Sequence, residues 1–493
     1  MRRPPRELHS GNRRERKASR PAAGLRPVDC DYPGMPSNDE IFGWVSELWR
    51  FGNRSKYGHR MPGTAADHQA ARYVEARFRE FGLEDVKAEP MSIFTSFPDR
   101  WALHIESDAR TEEIPCYFLR YAAFTPQQGI SADLVYLGTG SEEEFKAKAA
   151  AGKIAMVDLI APPGYYSDQT TSILFVYDPG GTLLAERGSQ GFPIANLSTS
   201  IDLARRHGAI GYIGILTFRA RDNCQEYHGP KYGNQVIPAL TISPASGDRL
   251  KTLLAAGPLR ATIVLTEAMD SGANPSFGSW GVTYNLYGTI PGTSAGAVVL
   301  MSHHDGGATN EASGVSTLMA LAKYFSGLPK RSRKKSLLFF VRGSHFGWRP
   351  PLLDGCKGIA AVKDSVTCVM NVEMIGRQMA LVDGEYVATE LSAPARFGIS
   401  GACSTLAPIV QAAIQKHGLD RTIIGTRLDG EGVEMKMAGL SPVIERISLN
   451  ATQFSDADTP DTVMKEALRP TACAFADIIS AVDALTPSQL KAN

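Results

Sequence analysis

The chain has 493 residues, 43% hydrophobic and 21% charged, a globular composition with room for two to four domains and no case for pervasive disorder. No apolar run approaches the ~18–20 residues that span a bilayer, which argues against an integral membrane protein. The formal net charge is +1, from 52 bases and 51 acids. Residues 1–20 hold eight bases and two acids, so the remainder carries 44 bases against 49 acids, a body at −5 with no nucleic-acid character. Seven widely spaced cysteines without a CxxC pair exclude a zinc ribbon and fit a reducing cytoplasm.

Residues 1–35 form a basic tail without the apolar segment of a secretory signal, expected to be solvated and disordered. Order is expected from about residue 36. A helix is predicted over 37–51, capped by Ser37 or Asn38, with Ile41, Trp44, Val45, Leu48 and Trp49 on one face. A turn at 60–64 precedes a second helix that places Ala71, Val74, Phe78 and Phe81 together and stops at Gly82.

Residues 131–266 read as a separate, β-rich body. Strands are predicted at 132–137, 153–158, 209–215 and 237–242, with helices at 142–151 and 200–208 between them. Residues 164–191 read as loop, as does Tyr227-His228-Gly229-Pro230. From about residue 282 the strand–helix alternation resumes: strands at 298–301, 336–341 and 366–372, and helices at 312–325, 406–417 and 464–485, the last with Pro470 as a potential kink. The 331–335 run reads as a solvated connection. Continuous apolar strands separated by helices predict an α/β fold with a mostly parallel sheet covered on both faces. The simplest organisation is one α/β domain, 36–130 plus 267–493, interrupted by the 131–266 body.

In such sheets, ligands bind beyond the carboxyl ends of the strands. Three clusters stand there. Ser302-His303-His304-Asp305 offers two imidazoles, with Asp305 placed to orient His303. Gly343-Ser344-His345 follows the next strand. Asn371-Val372-Glu373 ends a third, where Glu373 is a ligand, an acid/base group, or simply a salt-bridge partner of Arg377. Residues 456–462, DADTPDT, are acidic and read either as site residues or as the cap of the last helix. There is no phosphate loop or dinucleotide fingerprint.

These segments, in this order, resemble the zinc aminopeptidase family that includes bacterial leucyl aminopeptidases, glutaminyl cyclases and glutamate carboxypeptidase-like proteins. Residues 298–314, VVLMSHHDGGATNEASG, look like the family's strand, G-H-x-D and A-S-G segment. Residues 284–293, YNLYGTIPGT, resemble the preceding strand, and 60–64 the R-x-P-G-T segment. AGKIAMVDL, GAIGYIGI and IPALTIS are similar, in order, to a protease-associated domain inserted at 131–266.

The resemblance implies two zinc ions on a histidine, a bridging aspartate, a glutamate, an aspartate and a final histidine, with a glutamate as base. His303 matches the first histidine, and Asp305 its orienting neighbour. Asn310 stands at the bridging position, and Glu373 replaces the aspartate ligand. Opposite the Glu-Glu pair stand His345 and Phe346, or Ser344 and His345 if one residue is deleted. The last ligand position falls on Asp458 or on Phe454. A neutral bridge and a phenyl ring cannot hold a dinuclear pair. The expected centre is therefore one divalent ion, zinc or else calcium or manganese, on His303, Glu373 and Asp458. His345, Glu373 and Asp305 are the expected catalytic groups, and Asn310, His304 and Ser344 line the substrate.

The function expected is an aminopeptidase-like hydrolase acting on an amide, a peptide-like bond or a modified small molecule. Two alternatives remain open: a metal-independent lyase or cyclase using His345 and Glu373 for proton transfer, and an inactive binding module. The expected partners are a small molecule or peptide, with a second copy of the chain left open, and no nucleic acid or membrane.

Overall fold

The computed structural model describes residues 32–491 apart from 108–109, 162–171, 182, 184–193, 228–236, 268–278, 348 and 449. Nearly all of the basic tail lies outside the described residues. Ala297–His303, Ser336–Arg342, Val366–Val372 and Val443–Ser448 are adjacent parallel strands; the apolar runs of the first three predict them, whereas the fourth, VIERIS, carries Glu445 and Arg446 and is not predicted. Ala297–His303 is buried at every residue. Val298 and Leu300 face one hydrophobic cluster, Val299 and Met301 another, as the two-residue period of a strand requires. The first cluster is closed by helices Asn38–Asn53, Ser313–Ser326 and Lys465–Ala484, which explains why Ser313–Ser326 is apolar nearly all round.

These four strands are the centre of a nine-stranded sheet that is mixed rather than mostly parallel. Glu84–Thr95 and Ser279–Ile290 add antiparallel on one side; Ala395–Ser400, Thr422–Gly425 and Ile173–Tyr177 add on the other. A second sheet of eight strands holds Ala132, Ile154, Ile213 and Leu240 in its own core. By sheet membership its body begins at strand Arg100–Ser107, earlier than residue 131. Ile173–Tyr177, read as loop, is a strand, and it pairs with Thr422–Gly425 of the first sheet. Neither pairing is local, so neither leaves a mark in the segment's own pattern.

Several local readings hold. Ser37 caps Asn38–Asn53 through Glu40 N, Thr64 caps Ala65–Glu80, and Gly82 follows that helix at φ +81°. Helix Lys465–Ala484 runs on through Pro470. Other readings fail. The 331–335 run is not simply solvated: Lys335 is buried, and its ammonium donates to the carbonyls of Val482, Asp483 and Leu485 at 2.8–2.9 Å, capping the last long helix. That helix begins at Lys465 without a side-chain cap, so DADTPDT is not its N-cap.

Candidate metal centre

Register brings the site together. His303 pairs with Arg342 and Met301 with Asn371, so three neighbouring parallel strands end at one level. His303 is the last residue of its strand, Ser344 and His345 follow the second strand, and Glu373 follows the third. The turn after the second strand is tight: Ser344 adopts φ +65°. This aims the amides of His345 and Phe346 at the two oxygens of Asp305, at 3.0 and 2.9 Å. Asp305 Oδ1 also lies 3.5 Å from His303 Nδ1. Burial alone would raise the Asp305 pKa. The hydrogen bond and charge of His303, with His345 and His304 nearby, hold it well below the ordinary range instead. Asp305, expected among the catalytic groups, is thus an orienting anion that touches both imidazole-bearing segments. Ser344, expected to meet substrate, is fully buried in the turn.

The fourth contributor is Glu431, which the sequence reading missed. It projects from the turn before helix Gly432–Met437. Its Oε2 lies 3.8 Å from His303 Nε2, and its Oε1 is hydrogen-bonded to His345 Nδ1. The two imidazoles stack at 4.3 Å, 11° from parallel. Ligand atoms of His303, His345 and Glu431 all lie within 4.8 Å of one another. Glu373 Oε2 is 4.0 Å from His303 Nε2, while its Oε1 accepts from Asn371 Nδ2 and from Glu431 N at 3.3 Å. Arg377, the alternative partner of Glu373, pairs with Glu466 instead.

Three buried atoms converge here without a hydrogen-bond partner: His303 Nε2, Glu373 Oε2 and Glu431 Oε2. Unsatisfied buried polar groups are each unfavourable by ~1–3 kcal/mol, so three at one point call for a ligand. Burial, followed by the neighbouring His345, lowers the His303 pKa and leaves a free imidazole lone pair. Burial and the Glu431 charge push Glu373 well above the carboxylate range, while His345 and His303 overcome burial to hold Glu431 well below it. Two imidazoles, one firm carboxylate and a second carboxyl nearby suit a single dication. With nitrogen donors in the majority, zinc fits better than calcium or manganese.

Asp458, expected as a ligand, lies in a neighbouring cluster. Its Oδ1 accepts from Thr309 N at 2.8 Å and Thr462 Oγ1 at 3.2 Å. Beside it Glu311 Oε2 accepts from Gly307 N at 2.6 Å. The guanidinium of Arg60, fully buried, donates to the carbonyls of His304 and Gly307 at 2.7 and 2.8 Å. Gly306 and Gly307 are glycines for a reason: a Cβ on either would collide with Glu311 or Asp458. Phe346 and Phe454, which meet two ligand positions of the dinuclear pattern only when it is aligned without gaps, pack edge-to-face with Tyr227 at 5.0–5.5 Å. Tyr227 comes from the second body, and its hydroxyl reaches Glu311 at 3.5 Å.

His304, expected to line the substrate, is a structural latch. Nδ1 lies 3.1 Å from Asp67 Oδ1 and Nε2 2.9 Å from the Tyr284 carbonyl. Despite burial, Asp67 raises its pKa. The Asn310 side chain lies outside the described residues. Only one local signal pointed to Glu431: the glycines on either side of it, in Gly430-Glu431-Gly432.

The fold is that of the zinc aminopeptidases. It is shared with a zinc aminopeptidase from Bacillus subtilis (TM-score 0.60, 19% identity, 91% of this chain and 94% of that one). It is also shared with a peptidase M28 precursor from Shewanella amazonensis (0.61, 17%, 91% and 98%) and an aminopeptidase from an Aneurinibacillus strain (0.51, 20%, 91% and 93%). Within that fold, residues 285–418 match the profile of peptidase family M28, which bears out the family resemblance carried by 298–314. No curated protein matches the chain.

Proposed function

We propose that this chain is a hydrolase of amide or peptide-like bonds working through one divalent cation, zinc by preference, held by His303, His345 and Glu431. The observation that carries the reading is the convergence of partnerless His303 Nε2, Glu431 Oε2 and Glu373 Oε2 in one buried place. A cation bound there supplies Lewis acidity toward a substrate carbonyl and toward water. The chain's own groups do the rest. Glu373 is anchored through Oε1 and leaves Oε2 toward the centre; with a cation offsetting the burial and the Glu431 charge that hold its proton, the ionised carboxylate would take a proton from the attacking water and return it to the leaving nitrogen. Asp305 holds His303 and the His345 turn in place. Arg349 donates to the carbonyls of Ser344 and His345 and approaches Glu431 Oε1 at 3.9 Å, tying the turn to the carboxylate. The packed rings of Phe346, Phe454 and Tyr227 support a mononuclear centre. The second body is read as a protease-associated-like domain that lends Tyr227 to the wall of the site, and the working compartment as the cytoplasm.

A second reading has one observation in its favour. His345 is the partly exposed member of the site, and its Nδ1 is bonded to Glu431, a dyad able to move protons without metal. This differs from the His345–Glu373 pair expected from sequence. Elemental analysis with turnover of an aminoacyl-amide and peptide panel separates the cases. The proposal expects about one equivalent of zinc, loss of turnover on chelation, recovery on readdition, and at least ~100-fold loss in His303→Ala and Glu431→Gln. Turnover that survives complete metal removal but is abolished in His345→Ala would establish the dyad. Absence of both metal and turnover would leave a binding module.

A further inference from the structure

The turn that presents Glu431 has an unusual set of partners. Its four successive backbone amides, from Asp429 to Gly432, all donate to buried carboxylates. Asp429 N and Gly430 N reach Glu445 Oε1 at 2.6 and 2.9 Å, and Gly432 N reaches Glu445 Oε2 at 2.8 Å. Glu431 N reaches Glu373 Oε1 at 3.3 Å. Successive amides in a turn form a concavity suited to an anion, and here the chain fills it with its own side chains. The glycines make the approach possible. A Cβ on Gly432 would stand 2.6 Å from Glu445 Oε2, and one on Gly430 would overlap Glu373. Asn371 completes the frame, donating through Nδ2 to Glu373 and, at 3.1 Å, to Glu445 Oε2. Asn371 and Glu445 are register partners on adjacent parallel strands, so the sheet itself sets their spacing.

We infer that Glu445, which does not face the cation site, is its positioning residue: it holds the Asp429–Gly432 turn in the one conformation that sets the Glu431 carboxylate between His303 and His345. This rests on the metal reading above. A carboxylate is required because all four groups facing it are donors. A glutamine would turn its own NH2 against two of them.

The test is cobalt(II) titration of the full chain, following the visible d–d bands, which report ligand geometry. Glu445→Gln is expected to bind cobalt roughly 10–100-fold more weakly, the range for groups that orient ligands, with altered band positions or intensity. Circular dichroism of the metal-free protein checks that it remains folded. Gly432→Ala keeps every charge and displaces the Glu445 carboxylate by contact; it is expected to shift affinity and spectrum the same way, and decides the matter if Glu445→Gln does not fold. Wild-type cobalt binding with both folded variants, or Gly432→Ala alone, matching it in affinity and spectrum would overturn the positioning role and leave the metal reading intact. A wild-type chain that takes up no cobalt would overturn the metal reading, and this role with it.

Discussion

Gly314 offers a test in which two effects of opposite sign compete. It is the second residue of helix Ser313–Ser326, where alanine is intrinsically favoured over glycine by ~1 kcal/mol. On propensity alone, Gly314→Ala should stabilise the protein. The structure reverses the sign. A Cβ there would stand 2.9 Å from Glu373 Cα and 3.0 Å from Ser302 Oγ, and closer still to the Val372 carbonyl. Two of these three obstacles are backbone at the end of a central strand and cannot rotate away. Relief requires the helix or the strand end to retreat by a few tenths of an ångström to about 1 Å. Overpacking of this kind is unfavourable by ~1–3 kcal/mol, which offsets the propensity gain and leaves a net loss of about 0–2 kcal/mol. Because the displaced strand end carries Glu373, turnover should also fall, by up to ~10²-fold for a shift near 1 Å. Urea unfolding of wild type and variant measures the first quantity, and steady-state kinetics on an aminoacyl amide the second. A variant as stable as wild type or more so, with unchanged kinetics, would refute the claim that this close approach sets the site.

Two further outcomes follow from buried polar groups. Burial, reinforced by the Arg60 charge, lowers the His59 pKa to about 3. Its stability contribution is therefore present in full above about pH 6.5 and is lost as pH falls toward 3, at ~1.4 kcal/mol per pH unit. The stability advantage of wild type over His59→Gln should shrink at that rate between pH 6 and 4, as read by chemical unfolding at a series of pH values; parallel profiles would contradict it. Arg219, with no exposed side-chain surface, donates to Glu226 and to the carbonyls of Ala451 and Gln453, all at 2.6 Å, joining the second body to the loop that bears Phe454. Arg219→Met removes the buried cation that faces Glu226 and both carbonyls and should lower stability by ~3–5 kcal/mol; a loss under ~1 kcal/mol in thermal unfolding would show that the bodies are held together elsewhere.

Local pattern by itself determined three of the four central strands, the helices capped by Ser37 and Thr64, the helix at 313–326, and the placement of His303, His345 and Glu373 at strand ends; Val443–Ser448, with Glu445 and Arg446 in its middle, was not legible. Apolar runs, caps and strand-end histidines are readable within a dozen residues, and parallel strands of similar length bring their ends to one level. Tertiary structure alone decided the rest. Glu431 reaches His303 because Asn371 and Glu445, 74 positions apart, are register partners. Asp458 is drawn from the centre by the Thr309 amide, His304 is claimed by Asp67 from a distant helix, and Ile173–Tyr177 crosses to the other sheet. Each of these depends on a partner far along the chain, and a partner's identity is not encoded in the spacing of the residues it meets.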